Sequence, residues 1–100
     1  MIIGLLQVEL FLPSVRSLKH KRQIIKSIVT RVRNKFNVSI SETGNNDLWQ
    51  RASISACIVT NESKYANQVM EKVVAEIERN LDGQVLDLSL IHISEPTRPY

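Results

Sequence analysis

The chain has 100 residues, 43% hydrophobic and 23% charged, with three Gly, three Pro, one Cys and a formal net charge of +3. That composition supports one hydrophobic core and excludes collagen-like, disulfide-stapled and wholly disordered classes. No apolar run approaches the roughly 20 residues that cross a bilayer, and Gln7 and Glu9 interrupt the N-terminal stretch that would otherwise resemble an export signal, so a cytoplasmic protein without membrane contact is expected.

From Ile2 to Leu12, one parity carries Gly4, Leu6, Val8, Leu10 and Leu12, while the other includes Gln7 and Glu9. This is the period of a strand with one apolar face, and Pro13 ends it. Ser17 then stands at an N-cap position, and Leu18, Ile25, Ile28, Val29, Val32 and Phe36 recur at three- and four-residue steps, which predicts an amphipathic helix from about Leu18 to Lys35. Val38 and Ile40 alternate with Ser39 and Ser41 in a second strand. The turn formers Gly44-Asn45-Asn46-Asp47 join it in a hairpin to a third, from Trp49 to Thr60. Asn61 or Ser63 is placed to cap a second helix along Ala66, Val69, Met70, Val73, Ile77 and Leu81, and Gly83 is read as its stop. Its charged residues Glu71, Lys72, Glu76, Glu78 and Arg79 read as a solvated face. Gln84 to Leu90 reads as a fourth strand.

The order β-α-β-β-α-β, with one apolar parity per strand and one stripe per helix, predicts an α+β, ferredoxin-like sandwich: an antiparallel sheet with two helices on one face. Residues 1–87 form a single domain with no linker or repeat. From Leu88 the chain reads Leu-Ser-Leu-Ile-His-Ile-Ser-Glu-Pro-Thr-Arg-Pro-Tyr, where periodicity ends after Ile93 and two prolines fall close together. That segment resembles the translation of a transposon-end sequencing adapter. It is therefore expected to be a non-native, unstructured tail over residues 88–100 that completes the fourth strand at most by accident.

The segments Arg16-Ser-Leu-Lys-His-Lys-Arg, Arg33-Asn-Lys-Phe-Asn-Val-Ser and Asp47-Leu-Trp-Gln-Arg-Ala closely resemble the bacterial YlxP-like family, domain of unknown function 503, from about Met1 to Asp87. The resemblance implies a ferredoxin-like fold and a gene neighbourhood of transcription and translation factors, near initiation factor two and ribosome-binding factor A. It implies no known activity. His20 departs from the family pattern, in which an acid that completes a capping box is common.

Between Pro13 and Ser41 lie eight basic residues and no acid. At 100° per residue, Lys19, Arg22, Lys26 and Arg33 fall within about 60° of one another beside the apolar stripe. Such a ridge suits the phosphates of RNA or of a ribosomal particle, because affinity for a polyanion comes from counterions released by several cations in register. A solvated helix face is the competing account. The outward sheet parity, with Gln7, Glu9, Ser53, Ser55 and Cys57, lacks the aromatics on which RNA-recognition motifs stack bases. That open face, flanked by Leu5, Phe11 and Val59, instead offers a surface for pairing with a second copy.

Ser14, Arg16 and Ser17 precede the first helix, where unpartnered N–H groups attract anions, so they form a weaker candidate for a small-anion site, with Ser17 as a plain N-cap the alternative. Trp49, with Arg51 near it, either anchors a partner or closes the end of the core. Cys57 is a packing residue. No metal-ligand spacing, Gly-rich phosphate loop, nucleophile-base set or cofactor motif is present in the sequence, so a non-enzymatic binding domain is expected.

Overall fold

Alternation of apolar residues builds β1 (Ile2–Phe11), whose Leu6, Val8 and Leu10 are at most 2% exposed while Gln7 between them faces water. The computed structural model describes residues 1–45 and 48–94. The remaining elements are α1 (Leu18–Lys35), β2 (Ser39–Gly44), β3 (Arg51–Thr60), α2 (Ser63–Arg79) and β4 (Gln84–Ser94). The strands form one antiparallel sheet in the order β2-β3-β1-β4. β1 and β3 are central and pair from Ile2↔Thr60 to Phe11↔Arg51. This is the expected ferredoxin-like architecture, with α1 starting and ending at the residues the sequence indicates.

Both helices lie on the face of the sheet that carries Leu6, Val8, Leu10, Ala52, Ile54, Ala56 and Ile58. α1 contributes Ile25, Ile28 and Val32, and α2 contributes Ala66, Met70, Val73 and Ile77. Each of the larger apolar side chains stabilises the fold by about 1.5–3 kcal/mol relative to exposure. Ser17 caps α1, its Oγ accepting from His20 N at 3.1 Å.

Several expectations are corrected. β3 begins at Arg51, so Trp49 and Gln50 belong to the approach to the strand. The residue capping α2 is Glu62, without a side-chain cap bond, and Ser63 is already helical. α2 ends at Arg79 with Asn80 as C-cap, and Gly83 acts differently from a helix stop. It lies against β1, where an added Cβ would meet Phe11 O at 2.1 Å, so glycine is required by close backbone approach.

β4 runs on to Ser94, past the Leu90 at which the sequence reading ends the strand. It pairs with β1 from Phe11↔Gln84 to Ile2↔Ser94, with a bulge opposite Glu9 and Leu10. Without β4 this edge of β1 would leave backbone groups unpaired, and residues 88–94 pair with its part from Ile2 to Val8 as a strand where the sequence suggested an unstructured tail. The part of that tail from residue 95 to residue 100 lies outside the described residues. Leu88 and Leu90 pair with Val8 and Leu6, yet they are 48% and 39% exposed.

Glu76 is also not on a solvated face. It is 4% exposed, and it ties α2 to the end of α1: its Oε2 accepts from Lys35 Nζ at 3.0 Å and lies 3.3 Å from Arg79 Nη1, while Oε1 accepts from Asn80 Nδ2 at 3.0 Å. The hydrogen bond from Lys35 holds the carboxyl below its ordinary value against the opposing effect of burial. The Asn80 bond and the charges of Lys35 and Arg79 act in the same direction as the Lys35 bond.

Candidate nucleic-acid interface

Among the described residues, the eight cations of the acid-free stretch fall into two groups, four with internal partners and four without. Lys21 precedes Ile25 by four residues and Ile28 by seven, so it lies on the buried stripe, and it is 1% exposed. Its ammonium donates to the carbonyls of Asn45 and Leu48, the latter at 2.7 Å, and lies 3.0 Å from Glu42 Oε2. The contact with Glu42 is one of charge without hydrogen-bond alignment. On one flank of α1, Lys35 meets Glu76 on α2 and Arg31 bonds Oδ1 of Asn80, the C-cap of that helix. On the other flank, Arg33 Nη2 donates to Ile40 O of β2 at 3.1 Å.

Arg16, Lys19, Arg22 and Lys26 remain exposed, and among the described residues none of them makes an ion pair or a side-chain hydrogen bond. Arg22 and Lys26 lie within about 20° of Arg33 around the helix, and Lys19 within about 40°. The Arg33 contact therefore orients this ridge toward the β2 side of the molecule. Of the four ridge residues indicated by the sequence, three project freely and Arg33 is anchored to β2 while keeping its charge.

The same side carries the β2–β3 connection. Asn45 has φ 58°, in the left-handed region that Asn tolerates better than most residues. Its side-chain amide donates to Glu9 Oε2 and Ser53 Oγ, each at 2.9 Å. Leu48 N donates to Asn45 O at 3.1 Å, Leu12 N to Gln50 O at 2.8 Å, and Gln50 Nε2 to Pro13 O at 3.1 Å. The backbone is thus held at several points, yet Leu48 and Trp49 are 50% and 51% exposed. Leu12 and Val15, each 1% exposed, fill the core instead, so Trp49 does not close it. Arg51 turns to Glu9, 3.7 Å from Oε2.

On the open sheet face Glu9 is cradled by Ser53, Asn45 and Arg51, beside a shallow polar cleft of about 340 Å³ lined by Gln7, Thr43, Ser55, Asp87 and Ser89 among others. One end of this face is apolar, with Val59 64% and Ile91 44% exposed around Leu5 and Cys57. At the start of α1, Ser17 is committed to the N-cap and Ser14 Oγ donates to Asp82 Oδ2 at 3.1 Å, which puts a carboxylate beside the hydroxyls that a bound anion would need. Arg16 is exposed there. Among the described residues no group of His, Cys, Asp and Glu is arranged to hold a metal, and no helix is long and apolar enough to cross a membrane.

Residues 3–90 match the family described as Protein of unknown function (DUF503). The chain belongs to this family. It is 41% identical over 86 residues to the uncharacterized protein YlxP of Bacillus subtilis (strain 168), covering 80% of this chain and 94% of that protein. Solved structures share the DUF503 chain's fold at low identity. A de novo designed protein with ferredoxin fold superposes with a TM-score of 0.58 at 13% identity over 100% of this chain and 92% of its own. The Arabidopsis thaliana protein At3g17210 gives 0.53 at 13% identity over 98% and 99%. The anchoring role of Lys21 is the feature that charge counting misses, although its place on the stripe of Ile25 and Ile28 is visible in the spacing.

Proposed function

We propose that this DUF503 protein is a cytoplasmic binding module, not an enzyme, and that it holds RNA, free or within a ribosomal particle, by phosphate contacts from α1. The observation that supports this reading is the sorting of cations. Folding uses Lys21, Arg31, Arg33 and Lys35 for internal contacts and leaves Arg16, Lys19, Arg22 and Lys26 exposed, with no acid anywhere on the helix. Long side chains on a rigid helix follow a phosphate backbone, and their affinity comes from displaced counterions. Because phosphate contacts position a protein without reading bases, binding is expected to be tolerant of sequence.

Co-sedimentation with ribosomal subunits and with structured RNA tests the proposal. The parent should pellet with RNA at low salt, and the variant Lys19→Glu with Lys26→Glu should remain folded and stay in the supernatant. Equal pelleting of a folded variant would reject the α1 reading. The leading account would then be homodimerisation through the exposed apolar end of the sheet around Val59 and Ile91.

A further inference from the structure

We infer that the target of α1 presents an unpaired base, which stacks on Trp49; this deepens the phosphate-binding proposal and rests on it. A tryptophan beside a buried core is ordinarily absorbed into it, but here half of the ring lies in water while the backbone on either side is held by the Leu48 carbonyl on Lys21 and the Gln50 carbonyl on Leu12. Burying a lysine is costly unless its partners are well placed, and two of the partners of Lys21 are carbonyls of this connection. The effect is a backbone fixed in advance on either side of the ring, so binding has only the side chain left to order.

The surroundings favour a nucleic acid over a protein. Lys21 brings the connection against the first turns of α1, and the Arg33 contact with β2 orients Arg22 and Lys26 toward the same side. A flat ring on the same side of the molecule as the unpaired cations of α1 fits a base whose phosphates follow the helix. The open sheet face is polar in its middle, so stacking at this connection does not depend on the strand aromatics that base-binding sheets use. A continuous duplex keeps its bases stacked on each other and would offer Trp49 only its backbone.

Trp49 is the sole tryptophan of the chain, so its emission reports the proposed contact directly. Titration with single-stranded oligouridine and with a fully paired RNA duplex of equal length should quench emission only for the single strand and show tighter binding to it by roughly ten-fold, within the range of one base-aromatic stack. Trp49→Ala should remove that preference while keeping salt-dependent binding of both probes, and Trp49→Phe should restore part of it. Equal affinities for the two probes with unquenched emission would overturn the stacking inference and leave phosphate binding by α1 intact. A parent that binds neither probe would overturn both.

Discussion

Replacing Lys21 with Met removes a buried charge whose three contacts converge from β2 and the connection after it. Glu42 would lose its counter-charge while its side chain is only 18% exposed, and the carbonyls of Asn45 and Leu48 would lose a donor. Breaking a buried pair from one side costs about 3–5 kcal/mol, and the partial exposure of Glu42 points to the lower end. Against a total stability of about 5–15 kcal/mol that is a large fraction. For a domain of this size a loss of about 3 kcal/mol lowers Tm by something like 12 °C or more. Urea titration should show a reduced midpoint with an unchanged slope, and Lys21→Met combined with Glu42→Leu should recover part of the loss because no charge is then stranded. A loss below about 1 kcal/mol for Lys21→Met alone, the range of an exposed lysine, would refute the anchoring role.

Gly83→Ala should destabilise the fold by about 1–3 kcal/mol on denaturant titration, because the new Cβ would meet the Phe11 carbonyl at 2.1 Å; a neutral result would show that the close approach is not required. Glu76 has a folded-state pKa below its ordinary 4.5, so its stabilising effect is fully present above that value and is lost as pH falls through the lowered one. Melts between pH 7 and pH 3 should therefore show a shallower acid decline for Glu76→Gln than for the parent, and identical declines would contradict the assignment.

The elements whose side chains obey a single period were readable without coordinates. The parity of β1 and the stripe of Ile25, Ile28 and Val32 lead directly to the sheet face and to α1 with both ends correct. What escaped the reading depends on atoms brought from elsewhere in the chain. Lys21 and Glu76 are charged residues at buried positions of amphipathic helices, and their burial is stable only because Glu42 and two carbonyls meet the first and Lys35 and Asn80 meet the second. Gly83 resembles a helix stop in one dimension, but its role comes from a strand more than 70 residues earlier. β4 runs beyond the Leu90 bound read from the sequence because β1 offers an edge that residues up to Ser94 can pair with, a tertiary demand that the local sequence does not display. The exposed ridge was legible as charge, whereas its division into anchored and free cations required the fold.

The salt dependence of RNA binding tests the central claim most directly. With Lys19, Arg22 and Lys26 each contacting one phosphate of a single strand, log affinity should fall against log salt with a slope of about −2, so a fourfold rise in salt weakens binding roughly 20-fold. Lys19→Glu with Lys26→Glu should flatten the slope to about −0.7 and leave only about a threefold loss over the same range. A folded variant that keeps the parent's slope and affinity would contradict phosphate binding by α1.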